Sequence, residues 1–241
     1  EALKVTSGTT TLEGGNFTYK KPIFVDSYGK LVVNDANVST EDEPGIYNLE
    51  GTVTVNGGAI HSENKSAIDS LRATVNINGG DISSKEKAAV NSIGYSINVT
   101  DGNIYSEKDN AMYIYHVTGK ISGGHFESST KNGLDANASY YGPTNITITG
   151  GEFIGKMDGA TFSDTYVTFN ISGGSMIGER YGISSIARTG TISNVYSEGN
   201  INGINHTDGT LTMTGGTAVG KTQYGLYSTS NLTLGKQDRN V

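Results

Sequence analysis

The sequence Thr-Val-Thr-Val-Asn-Gly-Gly at residues 52–58 alternates apolar and polar side chains and ends in a glycine pair. Alternation with a period of two is typical of a half-buried β-strand, and glycine readily adopts the tight corner that follows. Related stretches recur at residues 74–80, 145–151, 168–174 and 210–216. Such recurrence predicts a solenoid, in which each repeat packs only on its neighbours.

The spacing of the glycine pair sets the length of the repeat. From Asp35, which stands in for the first glycine, to Gly123 this position recurs every 22 residues. Each repeat contains three short strand patterns, and no segment shows the 3.6-residue period of a helix of normal length. We therefore predict an all-β fold, a single-stranded right-handed parallel β-helix of about ten coils with three short strands per coil.

Alignment of the repeats predicts three files of inward side chains. The strand-one file is Leu12, Val33, Val55, Ile77, Val99, Ile121, Ile148, Ile171 and Met213. The strand-two file is Phe17, Val38, Ile60, Ile82, Ile104, Phe126, Phe153, Met176, Val195 and Ala218. The strand-three file is Ile46, Ile68, Val90, Met112, Leu134, Ile183, Ile204 and Leu226. Leu71 is also predicted to point inward. Burial of one such side chain contributes about 1.5–3 kcal/mol, so the three files form a continuous core.

Two repeats depart from the pattern. Residues 137–144 contain about five additional residues, and insertions in solenoids commonly form loops on a binding face. The repeat at residues 189–208 is short and lacks the glycine pair, which predicts a local bend or a weak coil.

The composition limits the function classes. The formal net charge of −7 argues against nucleic acid or an anionic membrane as the main partner. The chain has no cysteine and no apolar run long enough to span a membrane as a helix. It begins within a strand-like pattern and ends just after a new repeat starts. We therefore interpret residues 1–241 as one β-helix domain excised from a longer surface protein.

Tyrosine is the main candidate for ligand contacts, with 14 residues against 6 phenylalanines and no tryptophan. Tyr47, Tyr113 and Tyr227 are predicted to share one outward position on strand three, and Tyr105 and Tyr196 one on strand two. Exposed aromatic rings can stack on sugars, although tyrosine also simply covers a strand surface well. The candidate ligand-binding residues are Tyr113, Asp135, Tyr140, Tyr141, Asp164, Tyr166 and Tyr181.

Other polar residues support weaker hypotheses. Glu127 and Glu152 lie on adjacent coils and could act as acid and base in glycoside cleavage or bind Ca²⁺, but solvated surface charge is the simpler interpretation. The four histidines lack metal-ligand spacing and are interpreted as surface residues. Outward rows of threonine and asparagine suggest an ice-binding face or, more simply, ordinary outward residues of stacked strands. The nine Asn-X-Ser/Thr triplets follow from strand alternation alone.

The forms Ile-Ser-Gly-Gly-His-Phe at 121–126 and Ile-Thr-Gly-Gly-Glu-Phe at 148–153 resemble the right-handed parallel β-helix repeats of bacterial surface proteins. The wider pectate-lyase-like superfamily shares this shape. The resemblance implies a polysaccharide lyase, a polysaccharide hydrolase, or a non-catalytic adhesin or carbohydrate-binding domain. The paired aspartates, Gly-His-Gly and Arg-x-Lys of the hydrolases are absent, and no arginine is predicted to face an aspartate cluster. The resemblance therefore favours a non-catalytic protein.

Together these observations predict the binding region of a secreted or wall-attached bacterial adhesin, extracellular and monomeric. Its expected partner is a glycan or a host surface glycoprotein held along the rod, with no nucleic acid and no membrane insertion. No catalytic residue, metal ligand or cofactor is assigned, Ca²⁺ being the one ion considered. The alternatives are a lyase or hydrolase of acidic polysaccharides, and an ice-binding or passive spacer solenoid.

Overall fold

The computed structural model describes residues 3–235, in which all regular secondary structure is β-strand. The strands form two sheets, of 17 and 10 strands, and neighbouring coils pair in parallel. The chain is thus a parallel β-solenoid of about eleven turns of roughly 22 residues, which confirms the predicted fold class.

The strands succeed one another along the chain with short corners between them. The first nine are β1 (Leu3–Leu12), β2 (Gly15–Tyr19), β3 (Ile23–Val33), β4 (Ala36–Thr40), β5 (Ile46–Leu49), β6 (Thr52–Val55), β7 (Ala59–Ser62), β8 (Ile68–Ile77) and β9 (Asp81–Ser84). The next nine are β10 (Val90–Val99), β11 (Asn103–Ser106), β12 (Met112–Ile121), β13 (His125–Ser128), β14 (Leu134–Asn137), β15 (Thr144–Ile148), β16 (Glu152–Gly155), β17 (Asp158–Phe162) and β18 (Val167–Ile171). The last nine are β19 (Ser175–Gly178), β20 (Tyr181–Ser185), β21 (Thr189–Ile192), β22 (Tyr196–Gly199), β23 (Asn202–His206), β24 (Thr210–Met213), β25 (Thr217–Gly220), β26 (Leu226–Ser228) and β27 (Asn231–Leu234).

Each coil has three faces, numbered here in the order of the strands in one repeat. Face one holds the strands that end at the glycine pair, such as β6, and face two holds the strands that follow the pair, such as β7. Face three holds the strands that complete the coil, such as β5. The face-two strands form the 10-stranded sheet, whereas faces one and three share the 17-stranded sheet.

Faces three and one are joined more closely than the predicted division into three short strands. In β8, β10 and β12 a single ten-residue strand crosses from face three to face one. The bend comes at residues with positive φ: Arg72 (51°) in β8, Gly94 (74°) and Tyr95 (80°) in β10, and His116 (58°) in β12. These residues in the left-handed region turn the chain while the strand on either side of the bend stays paired in the ladder. We call this bend the third edge.

The interior confirms the three predicted files almost completely. Their members pair in register from coil to coil and are buried, except for partly exposed residues in the terminal coils. The prediction for Val195 was wrong. Ser197, which is buried, pairs with Met176 in the strand-two file, whereas Val195 is buried at the corner before that strand. The predicted inward direction of Leu71 was also wrong, because Leu71 points outward while Ser70 is buried.

The repeat at residues 189–208 is regular, so the predicted bend is absent. Its three strands pair in register with the coils on both sides. Asn194 adopts a positive φ of 50° at the corner where other coils have glycine. Asparagine tolerates this conformation better than most residues, which explains how the coil keeps its shape without a glycine pair.

A second inward file on face two changes from serine to glycine along the rod. Ser62, Ser84, Ser106 and Ser128 each donate a hydrogen bond from Oγ to a backbone carbonyl of the preceding coil, at 2.5–2.8 Å. The aligned residues of later coils are glycines, and a Cβ on Gly155 would lie 1.9 Å from the Asp158 carbonyl oxygen. In these coils the backbone of the following corner occupies the place of the serine side chain, so glycine is required there.

Phenylalanine fills the middle of the core. The rings of Phe126 and Phe153 stack at 4.5 Å between centroids, and those of Phe162 and Phe169 stack at 4.0 Å. Gly190 lies beside Phe169 on the next coil, and a Cβ there would stand 2.2 Å from the ring. Gly190 therefore provides the volume that Phe169 occupies.

We predict that Gly190→Ala lowers the free energy of unfolding by about 1–3 kcal/mol, because the added methyl overlaps a stacked ring that has no free space. Chemical denaturation of the variant and of the unmodified chain measures the difference. Gly14→Ala is the matched control, because its Cβ would meet nothing closer than 3.8 Å. Equal stability of the two alanine variants would contradict this account of the core.

Candidate ligand-binding surface

The most exposed tyrosines lie along one edge of the rod. The exposed fractions are 83% for Tyr28, 70% for Tyr95, 75% for Tyr140 and 91% for Tyr141. All four project from the third edge, where the chain passes from face three to face one. We call these four residues the aromatic edge. The sequence analysis found only Tyr140 and Tyr141, because Tyr28 and Tyr95 lie inside long strand patterns whose bend is not visible in the sequence.

The predicted loop carries two of these rings. Its backbone closes through reciprocal hydrogen bonds between Ser139 and Gly142, at 3.1 and 3.2 Å. The Ser139 hydroxyl also lies 2.8 Å from Nε2 of His116 on the preceding coil. The loop is therefore held both by its own backbone hydrogen bonds and by His116 of the preceding coil, and Tyr140 and Tyr141 project from a defined turn.

A third predicted tyrosine supports this loop. Tyr166 packs partly against the core, and its ring meets the Tyr140 ring edge-on at 5.8 Å. The Arg188 guanidinium lies over the Tyr166 ring, 4.9 Å from its centroid. Asp164 accepts the Tyr166 backbone N–H at 2.7 Å, which fixes the turn. The structure thus brings Tyr140, Tyr141, Asp164 and Tyr166 together.

Tyr113 and Asp135 lie elsewhere, at the start of face three. They are paired neighbours on adjacent coils and line a shallow depression of about 400 Å³ with Asn91 and Asn110. Asp135 accepts a hydrogen bond from Ser163 Oγ at 2.8 Å. Burial is the main cause that raises the pKa of Asp135 above its ordinary value, and the Ser163 bond lowers it in part.

Tyr181 is separated from the other candidates. It begins β20, whereas Tyr166 and Arg188 lie beyond the opposite end of face-three strands. Its ring lies 5.0 Å from the guanidinium of Arg180, which forms a two-pronged contact with Asp158 at 2.9 and 2.7 Å. Asp158 is fully buried. Its ion pair with Arg180 joins two adjacent coils.

An outward apolar row on face three was missed. Leu49, Leu71, Ile93 and Tyr115 pair in one register across four consecutive coils. Each is half-buried and outside the core cluster. We call these four residues the apolar stripe. Strict alternation from Ile68 would have placed Leu71 outside, but its aliphatic character suggested the interior.

Two predicted outward tyrosine positions have different outcomes. Tyr47, Tyr113 and Tyr227 do occupy one file on face three, each at the position defined by its paired neighbours. Tyr105 and Tyr196 do not share a position, because Tyr105 pairs with Glu127 while Tyr196 pairs with Ser175.

The two glutamates proposed as an acid and base pair are bound to one imidazole. His125 contacts Glu152 through Nδ1 at 2.8 Å and Glu127 through Nε2 at 3.2 Å. Burial lowers the pKa of His125, but the hydrogen bonds to both carboxylates outweigh this and leave the pKa raised. Because Glu152 lies on the next coil, the cluster joins two coils. This contact was not identified from the sequence, because no local motif marks it.

Among the remaining histidines, His206 contradicts the interpretation as a surface residue. His206 is fully buried, and burial is the main cause that lowers its pKa. His61 contacts Ser83 on the next coil at 2.9 Å and Glu63 at 3.1 Å.

The outward asparagines of face one form a ladder. Nδ2 of Asn56 donates to Oδ1 of Asn34 at 2.9 Å, and Nδ2 of Asn78 donates to Oδ1 of Asn56 at 2.9 Å. These amides bond to one another from coil to coil, which fits the interpretation of the row as ordinary outward residues.

Within residues 3–235, no group of three or more histidine, aspartate or glutamate side chains is arranged to hold a metal ion. Calcium at Glu127 and Glu152 stays an untested expectation. The same residues contain no helix with the length and hydropathy that membrane crossing requires. Comparisons of the chain with protein-family models, with curated proteins and with solved structures find no match.

We predict that Arg180→Ala lowers the free energy of unfolding by about 3 kcal/mol, because it leaves the buried Asp158 carboxylate without its cation. Denaturant unfolding followed by circular dichroism measures the change. Lys156→Ala is the matched control, since its partner Glu179 lies on the same pair of coils but both side chains are more than half exposed. The control should change stability by no more than about 1 kcal/mol.

We predict that the His125 cluster stabilises the fold most at low pH. A raised folded-state pKa means that the contribution is complete below 6.5, the ordinary value, and is lost as the pH rises through the folded-state pKa. The melting temperature of the unmodified chain minus that of His125→Asn should therefore fall as the pH rises above 6.5 through the folded-state pKa. The subtraction cancels His206, whose lowered pKa has the opposite effect. A difference that is flat or rises with pH would refute the assignment.

Proposed function

We propose that this chain is a non-catalytic glycan-binding region of a secreted or cell-surface bacterial adhesin. The aromatic edge is the observation that carries the proposal. A tyrosine ring has a large apolar surface whose exposure to water is unfavourable. Exposed aromatic rings with a polar tip are characteristic of recognition sites. The most exposed tyrosines of residues 3–235 share one edge, although the rod offers three edges and three faces.

The shape of the rod also supports this function. Coils in a β-solenoid are spaced about 4.8 Å apart, so side chains at the same position in successive coils form a regular array. An extended polymer can contact such an array at several points, and weak contacts joined by one chain add to useful affinity. A glycan of a host glycoprotein could be held in the same way.

Polysaccharide cleavage is the alternative function, with Glu127 and Glu152 as acid and base. The contact of both carboxylates with His125 is the observation that brings them into one cluster. However, each is about half exposed on an open face, whereas a general acid is usually raised in pKa by an apolar site. Incubation with polyuronides and neutral glycans, followed by assays for reducing ends and unsaturated products, tests this alternative directly.

We predict that Tyr140→Ala with Tyr141→Ala weakens glycan binding about tenfold, because two stacking rings contribute roughly 0.5–1.5 kcal/mol each. A glycan array identifies ligands of the unmodified chain, and titration calorimetry then compares the variants. Tyr196→Ala is the control, since this tyrosine is 39% exposed but lies on face two. Absence of any glycan ligand, or equal losses in the control, would refute the proposal.

A further inference from the structure

The surface of face three carries two parallel rows of different chemistry. The apolar stripe forms one row. Two residues earlier in each strand lies a second row, which we call the hydrogen-bonding file. It consists of Tyr47, Asp69, Asn91, Tyr113 and Asp135, paired in register on successive coils. Two residues of a strand span about 7 Å, so the rows run side by side along the rod.

The hydrogen-bonding file offers fixed polar groups. Nδ2 of Asn91 donates to Oδ1 of Asp69 at 2.8 Å, so the amide and this carboxylate are held together across two coils. Asp135 is held by Ser163, while its second oxygen has only a 3.5 Å contact with Asn110. Oriented carboxylate and amide oxygens that retain free lone pairs can accept hydrogen bonds from ligand hydroxyls.

The adjacent apolar stripe offers the complementary surface. Its four side chains rise about 14 Å along the axis and are about 7 Å wide, which gives roughly 100 Å². A stable protein interface needs about 800 Å² on each partner, so the stripe is too small to hold a globular protein by itself. A narrow polymer with an apolar face and a hydroxyl edge matches both rows.

The apolar stripe and the hydrogen-bonding file together are called the track, and the charge of the track indicates the class of polymer. Asp69 and Asp135 place two carboxylates in the hydrogen-bonding file, and the chain as a whole carries a formal net charge of −7. Lys131 at the rim is paired with Asp109 at 2.8 Å, which leaves Lys87 as the unpaired cation among the described residues lining the depression. An anionic polymer would be repelled more than attracted along this path.

We propose that face three binds an extended neutral polysaccharide parallel to the rod axis, with apolar sugar faces on the apolar stripe and hydroxyls on the hydrogen-bonding file. This inference rests on the proposed function, since it specifies where and in which direction a glycan binds. It places the main ligand contacts on face three and makes the aromatic edge its border.

Titration calorimetry on the whole 241-residue chain tests this inference, with linear neutral β-glucan oligosaccharides and oligogalacturonides of matched lengths as probes. Affinity for the neutral series should increase with length until the oligosaccharide covers the track. Leu71→Ser with Ile93→Ser should weaken neutral binding about tenfold. Asn91→Ala tests the hydrogen-bonding file separately and keeps the inference testable if the double variant is unstable.

Ile154→Ser with Ile177→Ser is the matched control. These isoleucines are also half-buried, paired on adjacent coils and directed outward, but they lie on face two. The control should bind as the unmodified chain does, and thermal unfolding should show both double variants folded.

The outcomes separate the two proposals. Neutral binding that is lost in the Tyr140→Ala and Tyr141→Ala variant but unchanged in the face-three variants overturns the track and leaves the proposed function intact. Absence of binding to every glycan overturns both. Tighter binding of oligogalacturonides overturns the neutral class. Self-association that disappears with Leu71→Ser and Ile93→Ser overturns the track, because a second copy would then cover the stripe.

Discussion

In-register parallel pairing between successive coils is the constraint on which this structure depends. Each coil buries its inward side chains only because the same positions above and below are also apolar. The backbone ladder sets the spacing between coils, and the inward files set the register, since a shift by one residue would expose the core side chains. No coil is stable alone, so every other feature, including the edges and the surface rows, inherits its position from this stacking.

The same constraint explains why glycine and serine occur where they do. At the corner after face two, the chain of the later coils turns so tightly that a Cβ at Gly155 would overlap the carbonyl oxygen of Asp158, three residues further on. In earlier coils the corner is wider, and Ser62 or Ser84 bonds to the preceding coil instead. Side-chain volume is exchanged between neighbouring coils where Gly190 makes room for Phe169. A substitution is tolerated or rejected according to the coil beside it.

Stacking also converts an unremarkable set of surface residues into arrays. A single outward leucine on a strand has no functional meaning, because isolated apolar residues are common on protein surfaces. Repetition at one position across four coils produces a continuous stripe beside a polar row. Charged residues are used in a similar way, since His125 and Arg180 each join two coils through carboxylates. The surface thus combines cross-coil contacts that stabilise the rod with rows that are open to a ligand.

The 22-residue period and the alternation at residues 52–58 were enough to predict the class of fold, the inward files and the inserted loop. This succeeded because alternation and glycine corners are local properties of the chain, and a fixed period transfers them to every coil. The third edge and the carboxylate partners of His125 were decided only by the tertiary structure. The bend at the third edge is marked by no local pattern. The partners of a side chain on the next coil depend on pairing between residues about 22 positions apart, which only the stacked structure defines.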